Sequence, residues 1–160
     1  MMLFAPRLFI DRVRPSDADA LVAIHGEAFA RPWSADDFTA LVSDRSIYAL
    51  ALRRESVFGT RRMIGFVLVR AVADEAEILT IAVLPSVQGK GHGRRLMEEV
   101  CRRLYADRVR SLFLEVDRDN APAVRLYRSL RFEVIGERKG YYHKPDGTTG
   151  SALVMRAELR

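Results

Sequence analysis

Cysteine is nearly absent from this chain of 160 residues: there is one, Cys101. An internal disulfide is excluded, and a thiolate-rich metal centre with it. Histidine is almost as scarce, and His25, His92 and His143 stand far apart in sequence, so no Cys/His spacing asks for a metal and none is expected. The chain also lacks a long apolar run. Its first residues, MMLFAPRLFIDRVR, hold only a short apolar patch broken by Arg7 and Asp11, too short and too charged for a signal peptide or a membrane span. A cytoplasmic location without membrane contact is the expectation. Repeats, low-complexity tracts and Pro/Ser linkers are missing too, so a single domain over residues 1–160 is expected. Lysine is rare, with 23 of the 26 basic residues being arginine. These arginines are scattered along the chain, which reads as solvated faces more than as a binding stripe. The net charge of +5 suggests an anionic ligand or partner. No clustered basic and aromatic face calls for direct nucleic-acid contact.

With 49% hydrophobic and 29% charged residues, the chain can bury a full core. Strand-like runs fall near 8–14, 46–53, 62–72, 76–84, 110–117, 132–137 and 151–158, and helical runs near 17–29, 34–43, 92–106 and 121–130. Ser16 is a candidate N-cap of the first helix, with Ala20, Leu21, Ile24, Ala28 and Phe29 as its inner stripe; Ser34, followed by Asp36 and Asp37, opens the second. The order predicts an α/β or α+β fold on a mixed sheet. Short loops make the three middle strands antiparallel neighbours, and the helix at 92–106 makes the next connection a crossover to a parallel strand.

One stretch asks for unusual backbone freedom. VQGKGHGR, Val87 to Arg94, places glycines at alternate positions between EILTIAV, which is apolar on both faces and reads as a buried strand, and an amphipathic helix with Leu96, Met97, Val100, Cys101, Leu104 and Tyr105 on its inner stripe. Such a turn aims the unpaired N–H groups of a helix start at whatever lies beyond the strand end, and bare glycines let an anion approach. A P-loop fails, because Leu84 stands five before Gly89 and Gly91 follows Lys90; a dinucleotide G-x-G-x-x-G fails at Arg94. Gln-x-x-Gly-x-Gly, Gln88 to Gly93, remains. A tight turn that merely packs helix on sheet is the alternative this stretch leaves open.

Further on, SLFLEVD sets Leu112, Leu114 and Val116 on one face and Ser111, Phe113, Glu115 and Asp117 on the other. Glu115 is a carboxylate lodged in mid-strand; the strand by itself equally allows a wet face on which Glu115 is only solvated. Asn120 then caps a helix whose first turn holds Pro122, and Ala123, Leu126, Tyr127 and Leu130 form its inward stripe. Tyr127 therefore points back at the sheet, as core packing would also have it.

In its order of elements, the Gln-x-x-Gly-x-Gly turn and the LEVxxxNxxAxxLYxxLxF pattern from Leu114 to Phe132, the chain resembles the GNAT acyltransferase superfamily over nearly its whole length. ARPWSADDF, EILTIAV and RKGYY further resemble the RimI type, bacterial ribosomal-protein-alanine N-acetyltransferases. The resemblance implies a largely antiparallel, seven-stranded mixed sheet with helices on both faces. It also implies acetyl-CoA as the acetyl donor and a protein N-terminus, of a ribosomal protein, as the acceptor.

Residue by residue, it implies that Gln88, Gly89, Lys90, Gly91, His92, Gly93 and Arg94 hold the CoA pyrophosphate. Backbone at Ile81 and Val83 and the side chain of Asn120 would meet pantetheine, and the Val83 N–H would polarise the thioester. Glu115 resembles the general base and Tyr127 the acid toward the departing thiolate, while Cys101 reads as core. Trp33 and Ser34 would line one side of the acceptor groove, and Tyr141 and Tyr142 the other. Trp33 is open to a second reading as a loop anchor, and the two tyrosines, being neighbours in a strand, point to opposite faces. One position departs from the pattern: RSLRF has Arg131 where relatives place a cap glycine, so either a non-glycine residue is held left-handed or the helix ends differently. Two other functions fit the same pattern less well. One is a GNAT enzyme for a small amine or a lysine side chain; the other is a non-catalytic acyl-CoA-binding or ribosome-binding module, against which the presence of both Glu115 and Tyr127 argues.

Overall fold

The computed structural model describes residues 5–144 and 146–160, without the side chains of Tyr142 and His143. Seven strands lie in one sheet in the order β1-β2-β3-β4-β5-β7-β6. They are β1 (Arg7–Arg12), β2 (Ile47–Glu55), β3 (Arg61–Val72), β4 (Glu75–Val83), β5 (Ser111–Asp117), β6 (Glu133–His143) and β7 (Thr149–Glu158). Four α-helices accompany them: α1 (Ala18–Ala28), α2 (Ala35–Ser43), α3 (His92–Ala106) and α4 (Ala121–Ser129). The mixed sheet expected from the strand pattern is present. β1 with β2, β2 with β3, β5 with β7 and β6 with β7 are antiparallel, and the crossover through α3 makes β5 parallel to β4.

The chain packs as two compact units, one running up to Arg70 and resuming over Leu79–Glu99, the other formed by Ala71–Ile78 and Val100–Arg160. In the first, Leu21, Ile24, Phe38, Leu50, Leu52, Phe66, Leu68, Leu96 and Met97 are buried. Phe38 meets Phe66 edge-on at 5.7 Å between ring centroids. With no exposed surface left on Phe38, truncating it to alanine would cost about 3–5 kcal/mol.

The entrance to α1 differs from the sequence expectation. Pro15 starts a short 3-10 turn over Pro15–Asp17, so the helix begins one residue later and Asp17, not Ser16, takes the N-cap position. The Asp17 carboxylate accepts the Arg14 N–H at 2.7 Å and pairs with Arg53 at 2.9 Å, while Arg53 also reaches Asp11 at 2.5 Å. At the far end, α1 stops at Ala28 and Phe29 is 41% exposed; His25 takes a place on the buried stripe instead. The first α2 turn follows expectation. Ser34 Oγ accepts the Asp37 N–H at 3.1 Å and Asp37 Oδ2 accepts the Ser34 N–H at 2.8 Å, a reciprocal capping box.

In the second unit, Leu112, Leu114 and Val116 are buried and the intervening β5 side chains less so, as the alternation predicts. Leu104, Val109, Phe132, Met155 and Ala157 complete this core, and Tyr105, expected on the inner stripe of α3, is 58% exposed. β6 runs six residues past the predicted end at 137, to His143. Its register against β7 shifts between Val134 and Gly136 and again between Arg138 and Tyr142. These bulges break the period-2 alternation that the sequence reading needs.

Candidate active site

In the first unit, the end of β4 leads into the glycine turn. β4 alternates instead of being buried throughout: Ala76, Thr80 and Ala82 are covered, whereas Leu79, Ile81 and Val83 are half-buried. The Val83 peptide is held from both sides. Its carbonyl accepts Gln88 Nε2 at 3.1 Å, and the next N–H, of Leu84, donates to Ile64 O at 2.9 Å. A 3-10 turn over Pro85–Val87 follows, closed by Val87 N–H to Leu84 O at 3.0 Å.

Gly89 and Gly91 then sit left-handed at φ 77° and 82°, and a β-carbon on either would meet nothing within 4 Å. The glycines are required here by backbone conformation and not by crowding, and the space in front of the turn is open. The first hydrogen bond of the α3 ladder at this end runs from Arg95 N–H to Gly91 O at 3.1 Å, so the N–H groups before Arg95 precede the helix's own ladder. Lys90, Arg94 and Arg95 are exposed around the turn. Arg94 pairs with Glu98 one helical turn on, at 3.8 Å, and Arg95 Nη2 donates to Leu8 O at 3.2 Å. Burial first, then the neighbouring Lys90, Arg95 and Arg54, push the His92 imidazole below its ordinary value of 6.5. Arg54, on β2, is a cation near this turn that sequence spacing could not assign, since strand pairing brings it in from far along the chain.

Trp33 and Ser34 also belong to this unit. Ser34 caps α2, as above, and Trp33 is half-buried. The Trp33 N–H donates to His25 Nδ1 at 3.3 Å, and the two rings stack at 4.7 Å. His25 further contacts Phe29 at 4.5 Å and Phe38 at 5.5 Å, and burial pushes its imidazole below 6.5, so Nδ1 is a neutral acceptor. The anchoring of the Trp33 loop is thus accounted for, through a histidine that the sequence reading left without a role. Its position in the helical stripe, one turn after Leu21 and one before Phe29, was the available signal.

In the second unit, Glu115 stands opposite Val154 of β7, its side chain 30% exposed. Arg138 Nη2 lies 3.1 Å from Glu115 Oε1, and the same guanidinium sits 5.4 Å from the Tyr141 ring centroid. Tyr141 is exposed; Tyr142 faces Gly150 through its backbone, and its side chain lies outside the described residues. Asn120 Oδ1 accepts the Ala123 N–H at 3.3 Å, so it caps α4 as the sequence suggests, which leaves its amide N–H groups as donors. Tyr127 is 7% exposed and meets Phe132 edge-on at 5.8 Å. The helix ends on Arg131 held left-handed at φ 70°, with Phe132 N–H bonded to Tyr127 O at 3.0 Å, so the departure from glycine is absorbed as strain without changing the cap. Cys101 is half-buried in α3. Among the described residues, no group of three or more His, Cys, Asp or Glu side chains could hold a metal ion, and no helix is long and apolar enough to cross a membrane.

Residues 18–132 match the acetyltransferase (GNAT) family. The chain is 33% identical over 150 residues to the ribosomal protein bS18-alanine N-acetyltransferase of Haemophilus influenzae, covering 94% of this chain and 98% of that one. To the protein of the same name from Escherichia coli K12 it is 33% identical over 146 residues, 91% of this chain and 94% of the other. The crystal structure of the ribosomal-protein-S18-alanine N-acetyltransferase from Escherichia coli superposes with a TM-score of 0.86 at 32% identity, over 96% of this chain and 94% of that one.

Proposed function

Because the chain belongs to the acetyltransferase (GNAT) family, we propose that it transfers the acetyl group of acetyl-CoA to the N-terminal α-amine of a ribosomal protein beginning with alanine. The observation that supports this most is the one-third identity, over more than nine-tenths of both chains, to enzymes named for that reaction. Acetyl-CoA supplies an activated acetyl thioester. The open space before Gly89 and Gly91 suits its pyrophosphate, with N–H groups at a helix start and Lys90, Arg94 and Arg95 around them. The pairing of β4 with β5 covers Glu75–Glu77, short of Ile81 and Val83, whose backbone would meet pantetheine, and the Asn120 amide would add a donor. Gln88, by holding the Val83 carbonyl, fixes the peptide that follows the one whose N–H, that of Val83, would polarise the thioester carbonyl.

Glu115 takes the proton that the acceptor ammonium must lose, directly or through water. The amine nitrogen then bonds to the thioester carbon as the carbon–sulfur bond breaks, Tyr127 gives its phenolic proton to the departing thiolate, and the second proton that the nitrogen sheds on becoming the amide restores the phenol through water. A phenol near pKa 10 facing a thiol near ~8.5 makes an oriented hydrogen bond as useful as full transfer. The acceptor preference follows from the cost of a neutral amine at pH 7: about 1 kcal/mol for an α-amine against roughly 4.6 kcal/mol for lysine. Tyr141 with Tyr142 would wall the acceptor's path, and the family resemblance assigns Trp33 and Ser34 to the acceptor as well. A ribosomal acceptor carries a cytoplasmic location with it.

Glu115→Gln tests the mechanism. Turnover should fall by about 10²-fold, most at low pH where the acceptor is protonated, with acetyl-CoA affinity nearly unchanged. Equal rates for variant and parent at pH 6 would remove the base.

A further inference from the structure

We infer that Arg138 is a positioning residue for Glu115, holding the carboxylate so that one oxygen is committed to the guanidinium and the other is left for the acceptor's ammonium proton. The inference rests on the reading of Glu115 as the base. Its geometry is set by three strands. Val154 of β7 lies between Glu115 on β5 and Gly136 on β6, and Ala152, two residues earlier on β7, lies between Asp117 and Arg138. Directly opposed residues and residues two apart share a face, so Glu115, Asp117, Ala152, Val154 and Arg138 all stand on the same side. Arg138 must therefore cross one whole strand to reach Glu115. The residue it crosses beside is alanine, fully buried, small enough to let the arginine stem pass over it.

The far side of Arg138 is fixed as well. Between the pairs Arg138↔Ala152 and Tyr142↔Gly150, β6 advances four residues while β7 advances two. This bulge brings Tyr141 back toward Arg138, where its ring lies 5.4 Å from the guanidinium carbon. The guanidinium is thus held between the carboxylate at 3.1 Å and an aromatic face. Neighbouring charges are otherwise engaged: Arg118 pairs with Glu137 at 3.0 Å, and Lys144 with Asp119.

A carboxylate with 30% of its side chain exposed and no such partner would rotate among several hydrated orientations. Binding one oxygen by a charge-assisted bond removes most of that freedom. Tyr141 stands on the other side of the same guanidinium, so the wall of the acceptor path and the base are joined through one side chain.

The test is a double-variant cycle. Rates are referred to acetyl-CoA-binding-competent protein, so that a partly unfolded variant does not pass for a slow one. Arg138→Met should lower kcat by roughly tenfold, a minor share of a general base's own contribution, with acetyl-CoA affinity unchanged. Arg138→Lys, which keeps a cation but loses the planar fork, should recover part of the loss. In the Glu115→Gln background, Arg138→Met should cause no further loss. If Arg138→Met keeps the parental kcat while Glu115→Gln is slow, or costs the same factor in both backgrounds, the inference fails and the base stands. If Glu115→Gln runs at the parental rate, the base fails and Arg138 loses its role with it.

Discussion

Gly91 and Gly59 form a matched pair that separates anion binding from backbone strain. Gly59, in the β2–β3 hairpin, has φ 81°, Gly91 has φ 82°, and an added β-carbon would meet nothing within 4 Å at either. Replacing each with valine therefore carries the same kind of penalty, about 1–2 kcal/mol for an L-residue forced left-handed. For a chain of this length that is a fall in Tm of roughly 2–8 °C in both variants. Only one of the two should touch the ligand. At Gly91 the branched side chain would stand in the open space before the N–H groups of the α3 start, and acetyl-CoA affinity should weaken by roughly tenfold or more, ~1.4 kcal/mol. Gly59→Val should bind as the parent does. Thermal melts and titration calorimetry on the two folded variants read these quantities separately. Equal acetyl-CoA affinity in Gly91→Val and Gly59→Val would show that the turn serves packing alone and would refute the phosphate assignment.

Arg131→Gly should raise Tm by up to about 3 °C, because relief of the left-handed strain at φ 70° outweighs the added chain entropy of glycine; a fall in Tm would mean that the arginine side chain contributes more than its backbone costs. Burial depresses the His25 pKa below 6.5, so the unfolded chain takes up this proton before the folded one does. The stability concerned is fully present above pH 6.5 and is lost as pH falls through the folded value. The Tm difference between pH 7.5 and pH 5.5 should accordingly be smaller in His25→Asn, which keeps an acceptor for the Trp33 N–H, and an unchanged difference would contradict the neutral, acceptor state of His25.

Much of the fold was legible because local rules and tertiary packing agree. β5 shows a clean alternation that burial reproduces, Ser34 with Asp37 and Asn120 with Ala123 cap their helices as their residue types suggest, and Gly89 and Gly91 adopt the conformation that only glycine takes without strain. Where sequence reasoning fell short, a neighbour in space overrode the local pattern. Asp17 displaces Ser16 at the start of α1 because Pro15 sets a 3-10 turn and Arg53, far along the chain, draws in the carboxylate. β6 was cut short because two bulges interrupt its period. The same limit applies to the site: Glu115, Tyr127 and the turn stand out by motif, whereas Arg138, His25 and Arg54 matter through partners 23, 8 and 38 positions away in sequence. No local window contains both members of such pairs.

Acetyl transfer to a protein N-terminus is read from the nitrogen that becomes modified. A peptide beginning with alanine, with a free α-amine and one internal lysine, is incubated with the enzyme and acetyl-CoA, and the modified nitrogen is located by tandem mass spectrometry. The proposed α-amine specificity requires acetyl on the terminal nitrogen, with the lysine left free because its neutral form costs roughly 3.6 kcal/mol more at pH 7. Acetyl found mainly on the lysine, or transferred only to free small amines, would contradict it.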